Sequence, residues 1–530
     1  MKKKTASKDS LPFRNYLVIA FIEGSSVMVC ELLGAKMIAP VYGTSLFVWS
    51  SVIGVTLAAL AAGYFIGGFL ADRFTGNSLL FTILAAGACL IGLMPVIAEY
   101  AMTATMSLGV RMGSLISALL FLLPPLVCMG MTSPVIIRLA SGDVQHTGRT
   151  AGSVYAVSTV GGIVATFFLG FYAISKWGLT VPTYVTAGIL GLLPAAYFLW
   201  TKRYLFFLLL LVLMAFPSVK HVFHKDVPSN SSMTVLYKSE GLLGQVLVVK
   251  YTEPVEDSIA GRIVLFVNRH PQTSAYTKTG YSLWPYAHCI ATIASIQPVG
   301  SKALILGLGG GSVADEFLRL GFEVDGCELD DRIARMARSY FNLSSRCKII
   351  NDDGRHYVRS TDRKYDLIVF DVFTGETQPS HLLTVESLRE VKRILSGKGL
   401  VIINNNGFLA GTRGLGSRSI IGTLISVGYD VKFTGTPGTE ENRNLIIVAS
   451  PGTVDMSGLK VERQNECCRA IAQVPIPLPL SSAGDIDLGD ALTLVDDRPI
   501  LDALNVYANE TWRRDMWREY DHLFGGMNVF

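Results

Sequence analysis

The sequence predicts a multi-span α-helical membrane domain followed by an α/β domain built on a parallel sheet, and three observations carry that reading. Half of the 530 residues are hydrophobic and only 17% are charged, with the apolar excess concentrated before residue 218. From about residue 300 onward, strand-length apolar runs alternate with helical ones, the rhythm of a parallel sheet with helices on both faces. One of these runs, Ala303–Leu306, leads directly into Gly307-Leu-Gly-Gly-Gly311. An apolar strand entering a glycine-rich turn lets backbone approach a nucleotide-shaped ligand.

The membrane domain is assigned to residues 1–218. Apolar stretches near 15–39, 48–70, 79–98, 112–137, 151–174 and 180–200 approach or exceed the roughly 20 residues a helix needs to cross a bilayer. A seventh, at 204–218, is shorter. The basic start Met1-Lys-Lys-Lys4 precedes an apolar run too long for a cleavable signal, which predicts a retained first helix. Lys2, Lys3, Lys4, Lys8, Arg14, Arg73, Arg138, Arg149, Lys202 and Arg203 fall on one side of the spans and Arg111 and Lys176 on the other. The positive-inside rule then makes the N-terminus cytoplasmic. Gly67-Gly-Phe-Leu-Ala-Asp-Arg73 resembles the cytoplasmic loop between the second and third helices of major-facilitator transporters, which agrees with this orientation. Gly63 and Gly67 stand at the spacing that lets helices approach closely in lipid. In the first span, Glu23 and Glu31 lie two turns apart and Lys36 a little beyond. A charge near mid-bilayer costs about 2.5–3.5 kcal/mol, so Glu31 and Lys36 form a candidate polar site, with Lys36 alternatively snorkelling to the interface and Glu31 alternatively serving a structural pairing.

After a polar linker at 219–234, short alternating strands predict a small β-hairpin subdomain over 235–298, with Gly244–Lys250 and Arg262–Val267 paired antiparallel. The α/β domain at 299–450 has predicted strands at Ala303–Leu306, Glu323–Cys327, Cys347–Ile350, Leu367–Phe370 and Leu400–Ile403. The helix from Thr384 to Leu395 places Val385, Leu388, Val391 and Leu395 on one face, which should pack on the sheet. Residues 451–530 extend the soluble part. Ligands of such folds collect outside the carboxyl ends of the strands, and acids stand there in order: Glu328 ends the second strand, Asp352 and Asp353 follow the third, and Asp371 ends the fourth. Gly307, Gly309 and Gly311 complete the candidate site. NAD is the competing ligand, but the turn lacks the third glycine of the dinucleotide fingerprint at its expected place. Eight cysteines without a CxxC indicate neither a zinc site nor a disulfide framework, and Cys467-Cys468 reads as two thiols. A net charge of +4, with no basic stripe, argues against nucleic acid as a partner.

These motifs give the reading a family. Residues 240–450 resemble the spermidine/spermine synthases, and the whole chain resembles their membrane-fused bacterial members. The pattern Leu-Asp-Gly-x-x-Gln appears as Val267-Asn-Arg-His-Pro-Gln272, followed nine residues on by Tyr281; Cys-Glu-Ile-Asp appears as Cys327-Glu-Leu-Asp330, Asp-Gly as Asp353-Gly354, and the start of Asp-Ser-Ser-Asp as Asp371. Features of the fused members are echoed in Glu31-Leu32, Pro40-Val-Tyr-Gly43, Gly307–Gly311, Pro379-Ser-His-Leu-Leu-Thr384 and Val495-Asp-Asp-Arg-Pro499. The resemblance implies a Rossmann-like fold of the class I methyltransferase type. It also implies a donor related to S-adenosylmethionine, with its ribose on Glu328, its adenine near Asp353 and its sulfonium near Asp371, and ligand contacts from Gln272 and Tyr281. Family members move an aminopropyl group from decarboxylated S-adenosylmethionine to a diamine and release methylthioadenosine, a step of polyamine biosynthesis that needs no metal. Asp371 is then the catalytic base.

Two departures leave the substrates open. The carboxylate of Gly-Gly-Gly-Asp is absent from Gly307-Leu-Gly-Gly310, and the second aspartate of Asp-Ser-Ser-Asp is Thr374; Asn268 and Arg269 also replace an Asp-Gly. Fewer carboxylates suit a dicationic diamine less well and a donor keeping its own carboxylate better. Methyl or aminocarboxypropyl transfer from intact S-adenosylmethionine to a membrane-associated acceptor is therefore the alternative enzyme. A half-transporter for polyamine or donor, coupled to a sensing domain, is the alternative outside enzymology. The expected setting is the bacterial inner membrane, with the lipid bilayer and a small amine as partners and a homodimer compatible with both. The soluble domain is placed in the cytoplasm, on its unpaired cysteines and the short 204–218 segment, with the periplasm as the alternative.

Overall fold

The computed structural model describes residues 11–43, 46–74, 76–141, 147–203, 233–241, 243–252, 261–373, 378–453, 480–512 and 520. They belong to two compact units, one helical and one α/β. The apolar stretch 204–218, the linker as far as residue 232, Lys2–Lys4, Lys8, Thr374 and Cys467-Cys468 lie outside the described residues.

The helical unit comprises α1 (Phe13–Tyr42), α2 (Leu46–Arg73), α3 (Asn77–Thr105), α4 (Gly109–Phe121), α5 (Leu123–Ala140), α6 (Thr147–Phe168), α7 (Ile174–Trp177) and α8 (Thr180–Trp200), with a π-helical stretch, Leu169–Ala173, joining α6 to α7. Among the described residues, six helices are long and apolar enough to cross a membrane. The span expected at 112–137 is two helices, α4 and α5, which meet at Leu122. Pro124 and Pro125 follow that break, and with no N–H to donate they begin a helix more readily than they continue one. The Gly67–Arg73 segment, expected as a loop, forms the last turns of α2, because its apolar residues continue the helical ladder and Phe74 N–H still reaches Leu70 O at 2.8 Å. Asp72 at that end lies 3.8 Å from Arg138 on α5; both are exposed, so the pair contributes little.

Glycines set the helix contacts. A Cβ at Gly63 would come within 2.8 Å of the Gly130 Cα, and one at Gly67 within 2.6 Å of the Met131 Cα, so α2 lies directly on α5. Between α1 and α6, Gly24 and Gly161 meet the carbonyl oxygens of Ser158 and Phe21 in the same way. Two buried tyrosine hydroxyls tie helices together: Tyr16 donates to Asn77 Oδ1 at 2.7 Å, and Tyr42 lies 2.7 Å from Thr105 Oγ1.

The α/β unit begins with a four-stranded sheet, β1 (Met233–Gly241), β2 (Gly244–Tyr251), β3 (Arg262–Val267) and β4 (His270–Tyr276), in that order. The expected pair is its centre, β2 and β3, running antiparallel. Strands β3 and β4 are joined by Asn268-Arg269, both with positive φ (51° and 66°), a tight hairpin turn. The sheet packs on the helix α11 (Asp331–Tyr340) through Val246, Val248, Ile263 and Leu265 against Ile333 and Met336.

The main sheet contains β5 (Lys302–Leu306), β6 (Glu323–Glu328), β7 (Lys348–Asn351), β8 (Tyr365–Phe370), β9 (Leu395–Asn406), β10 (Asp430–Gly435), β11 (Asn444–Ser450) and β12 (Ser481–Ser482), in the order β12-β10-β11-β9-β8-β5-β6-β7. Strands β7, β6, β5, β8 and β9 are parallel, as the strand–helix rhythm predicts. The sheet as a whole is mixed, because β10 and β11 form a hairpin that needs no crossover helix and adds antiparallel to β9. Alternate strand residues enter two cores. Ala303, Ile305, Leu367, Val369 and Ile402 face α9 (Pro285–Ala294) and α10 (Ser312–Arg319), whereas Leu304, Leu306, Ile368, Phe370 and Ile403 face α13 (Val385–Ile394) and α14 (Leu415–Ser426). Thr384 caps α13, and Val385, Leu388, Val391 and Leu395 are buried as expected. The strand order turns back between β5 and β8, which opens a crevice at their carboxyl ends.

Candidate active site

The strand order places the four predicted acids in a row, Asp371 after β8, Glu328 at the end of β6 and Asp352 and Asp353 after β7, with the glycine turn after β5 among them. Gly307, Gly309 and Gly311 all have positive φ (84°, 53° and 89°). Gly307 has no room for a side chain, since a Cβ there would lie 2.9 Å from the Val372 Cα and closer still to the Asp371 backbone. Asp371 is tied to the same turn by its N–H, which donates to Leu306 O at 2.9 Å.

Every amide of the turn from Leu308 to Gly311 is engaged within the protein. Leu308 and Gly309 donate to Glu328 Oε2 at 3.1 and 3.4 Å, Gly310 donates to Thr273 Oγ1 at 2.8 Å, and Gly311 donates to Leu308 O at 2.9 Å. A pyrophosphate would need those donors, and Asp315 in the first turn of α10 would repel it. The geometry thus weighs against the dinucleotide alternative.

Glu328 departs from expectation. A strand-end acid of this kind is expected to face solvent, yet Glu328 is 8% exposed, and its other oxygen accepts the Asp330 N–H at 3.0 Å. Burial raises its pKa against the pull of these three backbone donors. The carboxyl therefore fastens the glycine turn to β6, and any ribose contact is made by a group already serving the fold.

Asp352 and Asp353 divide the work at β7. Asp353 caps α12 (Gly354–Ser360) by accepting the Arg355 and His356 N–H groups, each at 3.0 Å, and its Oδ2 lies 3.4 Å from His381 Nε2. Asp352 accepts the Asp353 N–H at 2.8 Å and lies 2.7 Å from His356 Nδ1. The Gln272 backbone and the Thr273 side chain reach the turn at Gly309 and Gly310 from β4, so the small sheet forms part of the site. Asn268 accepts the Gln245 N–H at 3.0 Å and forms the hairpin turn, so the Asp-Gly that it and Arg269 replace is here a turn position and not a wall of the site.

Asp371 is the focus. Asn404 donates to its Oδ1 at 2.8 Å and Tyr286 to its Oδ2 at 3.2 Å. Burial pushes its pKa up to about 6, although both hydrogen bonds pull it down. The result is a carboxylate that is ionised at neutral pH and basic enough to take a proton. Neither partner was predicted. Tyr281, the tyrosine selected by motif spacing, has its ring 3.9 Å from the Arg319 guanidinium carbon and its carbonyl paired with Tyr276 N–H; the hydroxyl on Asp371 belongs to Tyr286, in the first turn of α9. Asn404 lies near the end of β9, the neighbour of β8, and its Oδ1 accepts from Asn444 on β11 at 2.9 Å. The run Asn404-Asn405-Asn406 closing an apolar strand was the signal available for it.

The late motifs meet elsewhere. Arg355 is held by both Asp496 oxygens at 2.6 Å, by Glu390 at 3.1 Å and by His381 O at 3.0 Å, and Thr384 donates to Asp496 Oδ1 at 2.7 Å. Pro379–Thr384 and Val495–Pro499 thus clamp the later part of the chain to the α/β core. In the helical unit, Glu31 and Lys36 are half-buried on α1 and do not line the cavity there; Glu23 does.

Residues 285–412 match the family described as spermine/spermidine synthase domain. The chain is 34% identical over 128 residues to a polyamine aminopropyltransferase of Vibrio vulnificus, covering 23% of this chain and 43% of that protein. It thus spans less than half the length of that relative. It is 21% identical over 400 residues to polyamine aminopropyltransferase 2 of Aquifex aeolicus, covering 72% of this chain and 77% of that one. A match of that length exceeds the stretch from residue 235 to residue 530 and takes in part of the helical region. A probable spermidine synthase from Corynebacterium glutamicum is similar in structure at 20% identity over 51% of this chain and 97% of that chain, with a TM-score of 0.38. Residues 285–412, the part of the chain that matches the spermine/spermidine synthase domain, carry the glycine turn, the strand-end acids, Tyr286 and Asn404.

Proposed function

We propose that this chain is a membrane-bound aminopropyltransferase that moves an aminopropyl group from decarboxylated S-adenosylmethionine to an amine. The observation that carries the reading is Asp371, a carboxyl held by Tyr286 and Asn404 at the mouth of the crevice, with a pKa of about 6. The acceptor nitrogen attacks the methylene carbon bound to the cationic sulfur. A C–N bond forms, the C–S bond breaks with its electron pair going to sulfur, and the proton leaving nitrogen passes to Asp371. Methylthioadenosine departs as a neutral thioether. Alignment and proton removal are what the reaction asks of the protein, because the sulfonium already leaves well. Glu328 receives the ribose, Asp352 and Asp353 border the adenine, and Gln272 lies along the donor's path beside Gly309. The six long apolar helices support attachment to the bacterial inner membrane, with the N-terminus and the α/β unit in the cytoplasm.

Gly310, standing where a carboxylate would face the donor's amino group, favours a second reading in which intact S-adenosylmethionine is the donor. One experiment separates the two. Purified full-length protein is incubated with each donor and a panel of diamines, and the products are identified by mass spectrometry. Methylthioadenosine from the decarboxylated donor is expected. S-adenosylhomocysteine from the intact donor would mean methyl transfer, methylthioadenosine from it would mean aminocarboxypropyl transfer, and no product from either would refute a transferase.

A further inference from the structure

We propose that the membrane unit holds a second amine site, a cavity between α1, α2 and α6 that binds a primary ammonium ion on an apolar arm, with Glu23 as its counter-charge. The cavity has a volume of about 420 Å³ and is lined by Glu23, Val27 and Leu60, with Tyr64, Ser158 and Phe167 around them. Glu23 is 3% exposed, and among the described residues its hydrogen-bond partner is the Ser158 hydroxyl, which donates to Oε2 at 3.0 Å. That leaves Oε1 of a carboxyl bordering the cavity for a ligand.

The position makes this expensive for a residue with no function. Glu23 lies ten residues into α1, roughly 15 Å along the helix from Phe13, too deep to reach water at the helix start. The close approach of Gly24 to Ser158 and of Gly161 to Phe21 holds α1 and α6 together at this level, so the carboxyl is fixed rather than free to swing outward. A bare metal ion would need about six oxygen ligands, and one carboxyl among apolar walls does not supply them. An ammonium ion needs fewer, gains from the faces of Tyr64 and Phe167, and leaves Val27 and Leu60 to an alkyl arm. Tyr64 and Phe167 are also 40% and 56% exposed on the surface of the helical unit, so the cavity opens sideways, where a membrane-crossing bundle meets lipid. An amphipathic amine dissolved in the bilayer fits that entrance.

The test uses full-length protein in nanodiscs of phosphatidylglycerol, a lipid without an amine, with tritiated n-hexylamine as the probe. All arms carry Asp371→Asn, so that an acceptor site at Asp371 does not contribute and the outcome is separable from the function proposed above. Saturable binding is expected, with n-hexanol a poor competitor. Glu23→Gln should weaken it about 10- to 100-fold, the range of a hydrogen bond to a charged group. Leu60→Trp, which fills the apolar end while keeping the carboxyl, should weaken it as well and serves if the Glu23 variant does not assemble. In discs of phosphatidylethanolamine the affinity should hold; loss of binding there gives the site to the lipid's own ammonium and overturns a free amine. Absence of saturable binding, equal competition by n-hexanol, or unchanged affinity in both variants overturns the proposal.

Discussion

Replacing Asn404 by leucine tests whether the hydrogen bonds on Asp371 set the working pH of the site. Leucine keeps the branched shape of a side chain that is 2% exposed and removes the donor that stands 2.8 Å from Asp371 Oδ1. A hydrogen bond to a charged group contributes about 1.5–3 kcal/mol, and about 1.4 kcal/mol corresponds to one pKa unit, so the Asp371 pKa should rise by about one to two units. Starting from about 6, the acid limb of kcat/KM moves to about pH 7–8. At pH 7 the ionised fraction falls from about nine-tenths to between a half and a tenth, and activity returns as the pH is raised. Tyr286→Phe, which removes the longer bond of 3.2 Å, should move the limb in the same direction by less. The assay is methylthioadenosine release from pH 5 to pH 9.5. A limb that stays in place or moves down in both variants would refute Asp371 as the base.

Asp371→Asn should abolish turnover and yet stabilise the α/β unit at pH 8. A carboxyl whose folded pKa lies above its unfolded value of 3.8 favours the fold below that value and loses this as pH rises through about 6, so the amide spares about 1–3 kcal/mol, read as a higher Tm at pH 8 but not at pH 4. Glu328→Gln should retain an acceptor for the glycine turn and weaken donor binding by calorimetry, whereas Glu328→Ala should also lower the Tm by loosening that turn; equal donor affinity in both and in the parent removes the ribose assignment. Asp496→Asn should lower stability by about 1–2 kcal/mol at pH 7 and speed proteolysis near residue 480, a modest figure because Asp496 is 40% exposed. Arg355 depresses the Asp496 pKa, so this contribution is present above about pH 4 and is lost as pH falls through the folded value; a deficit that does not shrink as the pH is lowered below about 4 would contradict the pairing.

The parallel half of the sheet and its row of acids were legible because both obey local rules: apolar strands alternate with amphipathic helices, and each strand stops at a residue that cannot continue a buried run. Asp371, Glu328 and Asp353 could be placed at the crevice from that pattern alone. What lay beyond it was fixed by tertiary neighbours. Asn404 becomes a partner of Asp371 only because β9 lies beside β8, and Tyr286 arrives from 85 residues away. Tyr281 and Tyr286 are chemically the same in a sequence, and spacing selected the one that stacks on Arg319. The antiparallel edge was not among the predicted strands, because β10, Asp430-Val-Lys-Phe-Thr-Gly435, holds only two apolar residues and no helix separates it from β11. Glu328 was placed correctly and its burial misjudged, since a strand-end acid shows its register in sequence but not what the adjoining turn does with its amides.

The polarity of the amide row behind Asp371 bears on how the protein recovers after each turnover. Asn444 gives its hydrogen to Asn404, and Asn404 gives its own to Asp371, while Tyr286 gives a third from the opposite side. Such a row points only one way, and turning it round would break both amide links. In the proposed reaction Asp371 accepts a proton from the substrate and becomes a neutral carboxyl facing donors arranged for an anion. Those donors offset part of what burial costs the anion and hold the pKa at about 6, so at neutral pH the proton leaves to solvent through the part of Asp371 left open. A base assembled this way resets itself.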